Sequence, residues 1–256
     1  MIDSHCHLDD RQFDPDRDQV LERARQAGVR AALTIGSGDG PPDLEAAIRL
    51  ADAVPWVYAT VGVHPHEAAK AEASSLARLV DLCRHPKVLA VGEIGLDYHY
   101  DHSPREVQRE VFVAQLAIAR RAGKPIVIHT REAWADTIAL LREHWRGTGV
   151  MHCFSGDYEQ AVEALDLGFL VSFAGILTFP KAEALRQTAA RLPLDKLLVE
   201  TDCPYLAPAP HRRKRNEPAF VAETLEVLAR VRGIRPEEAD EATTANFANL
   251  FGTLKP

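Results

Sequence analysis

At 256 residues the chain is long enough for one large globular domain, and it matches the roughly 250 residues that an eight-stranded α/β barrel needs. A formal charge of −7 excludes a protein that coats nucleic acid by bulk positive charge, although a local basic patch can still bind phosphate. Four irregularly spaced cysteines exclude a disulfide framework, no apolar stretch is long enough to cross a membrane, and Met1-Ile2-Asp3-Ser4 lacks the regions of a signal peptide, so the expectation is a cytoplasmic protein with no membrane or obligate protein partner.

In chain order the predicted strands are Met1–His5, Ala31–Ile35, Val57–Gly62, Val88–Glu93, Pro125–His129, Gly149–Cys153, Phe169–Phe173 and Leu197–Thr201. Most are short and rich in Val, Ile or Leu, the pattern of strands buried on both faces. Amphipathic helical segments separate them. Asp14-Pro15, Ser103-Pro104 with Glu106, and Asp157 with Gln160 read as helix starts. Gly28, Gly123, Gly168 and Gly233 read as helix ends. Two helices follow the eighth strand, between about Glu217 and Leu250. The expected fold class is α/β: a (β/α)8 TIM barrel with an extra C-terminal helix, one domain over residues 1–256. An open doubly wound sheet is the alternative, weakened because no GxGxxG follows any strand.

Ligand-type side chains recur where these strands end. His5 and His7 stand two apart at the end of the first strand, so they share a face while Cys6 points away. Glu93, His129, His152 and Asp202 end strands four, five, six and eight. A barrel gathers such ends on its C-terminal face. Four imidazoles and two carboxylates then suit two divalent metal ions, of the Mg²⁺, Mn²⁺ or Zn²⁺ class, with Glu93 bridging them at a separation of roughly 3.5–4 Å. Cys153 and Cys203 adjoin ligands but read as packing residues, and His85, His99, His102 and His144 as solvated ones.

Around this set lie residues that can meet an anionic substrate. His64 ends strand three, and Arg131 follows His129 by two. Arg212, Arg213, Lys214 and Arg215 form the densest basic run, in the loop after strand eight, where they can bind backbone phosphates without reading bases. Tyr205 and Phe179 can stack on a terminal base. Glu200 shares strand parity with Asp202 and can orient a ligand histidine. Asp97 and Tyr98 are expected in a loop that shapes the pocket.

Several segments together carry a family likeness: Asp3-Ser4-His5-Cys6-His7-Leu8-Asp9, Gly62-Val63-His64-Pro65-His66, Gly92-Glu93-Ile94-Gly95-Leu96-Asp97-Tyr98, Ile128-His129-Thr130-Arg131, His152-Cys153-Phe154-Ser155-Gly156, Glu200-Thr201-Asp202-Cys203-Pro204-Tyr205-Leu206 and Asn216-Glu217-Pro218. Over nearly its whole length the chain resembles the TatD family of metal-dependent deoxyribonucleases. The resemblance implies a TIM barrel with His5, His7, Glu93, His129, His152 and Asp202 as metal ligands. On the chemistry of such a centre, Glu93 and Asp202 are the expected catalytic residues, with Asp202 taking the proton of the attacking water as general base. The implied activity is 3′-5′ exonuclease release of 5′-mononucleotides from single-stranded or 3′-end DNA, with RNA as a further partner. The same hardware also serves amide or ester hydrolysis, as in a D-aminoacyl-tRNA deacylase.

Overall fold

A computed structural model describes residues 1–36 and 40–252. Eight strands hydrogen-bond in sequence order: β1 (Ile2–Cys6), β2 (Ala31–Thr34), β3 (Val57–Val61), β4 (Val88–Asp97), β5 (Ile126–Arg131), β6 (Gly149–Met151), β7 (Phe169–Phe173) and β8 (Leu197–Val199). All seven ladders are parallel. Helices alternate with them: α1 (Arg17–Gln26), α2 (Ala46–Ala53), α3 (Ala73–Leu82), α4 (Arg105–Ala122), α5 (Trp134–His144), α6 (Tyr158–Asp166) and α7 (Glu183–Arg191). Two more, α8 (Val221–Arg232) and α9 (Pro236–Phe251), follow β8. This is a (β/α)8 barrel with an additional C-terminal helix.

The cylinder is sealed between β8 and β1 by bonds just beyond the end of β8. The Asp202 N–H donates to the His5 carbonyl at 2.9 Å, and the His7 N–H donates to the Cys203 carbonyl at 2.8 Å. The Asp3 carboxylate accepts the Thr201 N–H at 2.9 Å and the Thr201 hydroxyl at 2.6 Å. Closure therefore places the first two histidines beside the last aspartate, although about two hundred residues separate them.

α9 plugs the opposite mouth. Phe247 is fully buried in a cluster with Ile2, Leu33, Tyr58 and Leu198. Asn246 anchors the helix by donating to the carbonyls of Leu194 and Leu197 at 2.8 and 2.9 Å. The larger core lies outside the cylinder, between the strands and α1 to α8.

The helix ends agree with the sequence expectations better than the starts do. Gly28, Gly123, Gly168 and Gly233 all have positive φ, and Asp157 with Gln160 forms a capping box. Asp14-Pro15 is not the start of α1; Asp14 closes a short 3-10 turn (Arg11–Phe13), and Asp16 precedes the helix. Ser103 does not cap α4 either. Its hydroxyl donates to the His66 carbonyl at 2.8 Å and accepts the Ala69 N–H at 3.0 Å, tying down the loop after β3.

β4 runs four residues further than expected, to Asp97, because its glycines pair closely with β5 rather than ending the strand. Gly95 sits at φ +143°, and a Cβ there would lie 1.9 Å from the His129 carbonyl oxygen. Only glycine permits this approach. Gly95→Ala is therefore expected to push β5 away and lower stability by about 2 kcal/mol or more. Thermal denaturation checks this, and an unchanged melting temperature would contradict it.

Candidate metal centre

Simple alternation along β1 predicts the wrong face for its histidines. Ile2 packs inside the barrel, whereas Cys6, of the same parity, packs in the outer core. A register irregularity between Asp3 and Cys6 inserts one extra residue and reverses the parity. His5 and His7 consequently point into the C-terminal mouth. A similar irregularity in β4, between Val91 and Ile94, directs Glu93 to the same place.

Glu93 is the hub, and its two oxygens face different neighbours. Oε2 lies 3.5 Å from His5 Nε2 and 3.9 Å from His7 Nε2. Oε1 lies 2.8 Å from His129 Nδ1, 2.8 Å from His152 Nε2 and 3.5 Å from His64 Nε2. Asp202 joins the first side, its Oδ1 lying 3.3 Å from His7 Nε2 and 3.7 Å from His5 Nε2. The structure thus brings His5, His7, Glu93, His129, His152 and Asp202 together, in two half-cups that share one carboxylate.

Burial raises the energy of the charged Glu93, but His152, His64 and His129 outweigh it and hold its pKa well below the usual carboxylate range. Asp202 is likewise held low against burial, chiefly by His7. Burial keeps His5 neutral, and neither of its ring nitrogens has a hydrogen-bond partner. A buried imidazole nitrogen without a partner is costly, and a cation between His5, His7, Glu93 and Asp202 would satisfy Nε2, the nitrogen that faces both carboxylates. The donor set therefore fits a divalent metal.

Two further carboxylates hold histidines of this set. Glu200 is fully buried, and its Oε1 lies 3.2 Å from His152 Nδ1 and accepts the Cys153 N–H at 2.6 Å. His152 then keeps Nε2 free to ligate. Asp97 does the same for His129, with Oδ2 at 3.0 Å from Nε2 and at 2.9 Å from His66 Nε2. The sequence places Asp97 in a loop; it instead ends β4, fully buried, with Oδ1 accepting the N–H groups of His99 and Tyr100. Only the strand's extra length could have revealed this role, and glycines concealed that length.

Charge on His7 is opposed by burial, but Asp202 and Glu93 prevail and push its pKa up to about 9. Cation binding must expel that proton. Affinity in this half-cup is expected to rise about tenfold per pH unit up to about pH 9 and then level off. Titration calorimetry in buffers of different ionisation enthalpy should show at least one proton released per ion. Binding without proton release contradicts the assignment.

The family model for TatD related DNase matches residues 2–252. The chain belongs to that family. An uncharacterized metal-dependent hydrolase, YabD, from Bacillus subtilis is 39% identical over 253 residues, covering 98% of each chain. The Citrobacter rodentium protein named 3′-5′ ssDNA/RNA exonuclease TatD is 37% identical, covering 100% of this chain and 99% of its own. Among solved structures, the TatD homologue YJJV from Escherichia coli K12 superposes with a TM-score of 0.93 at 33% identity, covering 99% of this chain and 98% of that one. This TatD-family chain is accordingly a metal-dependent hydrolase acting on ester bonds.

The other expected contacts of this TatD-family protein divide. His64 lies in the cup, and its Nδ1 accepts the His66 N–H at 3.1 Å. Its neutral ring, with pKa lowered to about 4 chiefly by burial, therefore carries the proton on Nε2 and presents a donor rather than a metal ligand. Tyr205 is half exposed at the rim, 5.9 Å from the His7 ring centroid, with its hydroxyl on Asp10 at 3.2 Å. Arg212 lies over the Phe179 ring, 4.0 Å from its centroid, and Phe179 thus supports an arginine. Arg213 and Lys214 are exposed. Arg215 is committed elsewhere: its guanidinium holds Asp16 through two bonds of 2.7 Å and packs over Phe13. Arg131 stacks over Tyr100, 4.6 Å from its centroid.

No described helix is long and apolar enough to cross a membrane.

Proposed function

We propose that this hydrolase is a two-ion phosphodiesterase that removes 5′-mononucleotides from the 3′ end of single-stranded DNA, with RNA as a second substrate. One observation carries the reading: Glu93 turns its two oxygens toward separate histidine sets, an arrangement in which one carboxylate can bridge two ions. The activity named for the Citrobacter rodentium relative supports the substrate class.

A pair of ions in this cup supplies Lewis-acid stabilisation of the entering and leaving oxygens of an in-line displacement. The chain's own groups do the rest. Asp202, kept ionised beside His7, takes the proton of the attacking water and returns it to the departing 3′-oxygen. His64 Nε2–H donates to a non-bridging phosphate oxygen. Glu200 and Asp97 keep His152 and His129 in the ligating orientation. Arg131, Arg212, Arg213 and Lys214 have no ion pair among the described residues, so they are free to meet backbone phosphates; Arg215 is not.

The test incubates metal-loaded protein with 5′-end-labelled single-stranded DNA, labelled RNA and an aminoacyl-tRNA. Progressive shortening from the 3′ end with 5′-mononucleotide products supports the reading. Loss of the aminoacyl ester from an otherwise intact polynucleotide overturns it.

A further inference from the structure

Only two large hydrophobic side chains are exposed among the described residues, Tyr100 at 49% and Tyr205 at 51%. Every other large apolar residue described is buried or half-buried, so an exposed aromatic pair needs a reason. Both stand on the rim of the metal cup, on opposite sides of Glu93. Tyr205 packs against His7, which faces Glu93 Oε2. Tyr100 packs against His66, 5.4 Å between ring centroids. His66 shares Asp97 with His129, which faces Glu93 Oε1.

Tyr100 is also part of a larger assembly. Its ring is parallel to that of His102, with centroids 5.5 Å apart and planes 3° apart. Arg131 lies 4.6 Å from its centroid and has no ion pair among the described residues. His66 meets both rings edge-on, which holds them parallel. The sequence offers His102 as a mere solvated residue; the loop after β4 makes it part of a π surface beside a free guanidinium. Such a surface suits a nucleobase with its phosphate: aromatic faces accept any base, and arginine adds both stacking and charge.

We propose that Tyr100, His102 and Arg131 form a base-stacking subsite, paired across the cup with Tyr205, so that the two nucleotides flanking the scissile phosphate are each held by a tyrosine. This deepens the nuclease reading and rests on it. Two bases splayed onto opposite rims cannot remain in a duplex, so the pair of platforms selects single-stranded ends. The smallest well-bound substrate is a dinucleotide.

Steady-state kinetics on single-stranded oligonucleotides test the subsite, with bis(p-nitrophenyl) phosphate as a substrate that has no base. Stacking is worth about 1–3 kcal/mol per base. Tyr100→Ala is expected to raise KM for the oligonucleotide about tenfold or more, with kcat nearly unchanged, and Tyr100→Trp to restore it. Activity on the small diester should not change. An oligonucleotide lacking the base at one of the two flanking positions should raise KM for the native protein and leave KM of the Tyr100→Ala variant where it was. The proposal is overturned if native protein degrades single-stranded DNA while Tyr100→Ala matches it on both intact and abasic oligonucleotides. Native protein that cleaves the small diester and leaves DNA and RNA untouched counts against the nuclease reading itself.

Discussion

Glu93→Gln is expected to lose hydrolysis by about three orders of magnitude or more and to retain at most one bound ion per chain. The substitution preserves shape and changes only charge and donor pattern. An amide offers one oxygen, and its NH₂ group must then face either His5 and His7 or His129 and His152. Both half-cups therefore lose the shared negative charge, and one of them loses its oxygen donor as well. Ion pairing of this kind supplies several kcal/mol to a displacement at phosphorus, and each 1.4 kcal/mol or so is tenfold in rate. Elemental analysis of metal per chain, alongside kcat, checks both parts. A Glu93→Gln protein holding two ions at full rate would remove the bridging role.

Asp202→Asn should fold normally and lose about 10²- to 10⁴-fold in kcat, the range expected for a positioned general base. The fold should tolerate it for two reasons. The seam bond at this position uses the backbone N–H, not the side chain. The residue's φ of +58° is one that Asn adopts readily. The loss should fall on kcat, because the groups assigned to hold substrate are elsewhere: His64, Arg131 and the loop after β8. The pH–rate profile should also lose the limb that reports Asp202 ionisation. Circular dichroism and thermal melting confirm the fold, and a variant that turns over at the native rate would remove the general-base role.

Much of the fold was readable because it is periodic. Eight short apolar runs alternate with helices, and glycines with positive φ stop the helices where they stand in the chain. The six side chains that meet in the cup were also readable as candidate ligands, since His and carboxylate groups recur at the ends of buried strands. Local rules failed where neighbours from distant segments decide the geometry. Ser103 has the composition of a helix cap, yet its hydroxyl serves the loop after β3. Arg215 belongs to the basic run by sequence, yet Asp16 claims it. Gly92 and Gly95 look like the end of a strand, yet they let β4 continue against β5 and carry Asp97 to His129.

The sequence by itself determined which elements form, in what order, and which side chains can ligate a cation, because those properties depend on period and chemistry along the chain. The tertiary structure alone decided which oxygen of Glu93 meets which histidine, that Asp97 joins Glu200 in steering the rings, and that Tyr100 stands across the cup from Tyr205. The reason is geometric. An extra residue in β1 and another in β4 reverse side-chain parity. The bonds between His5, His7, Asp202 and Cys203 that close the cylinder then join the first strand to the segment after the last.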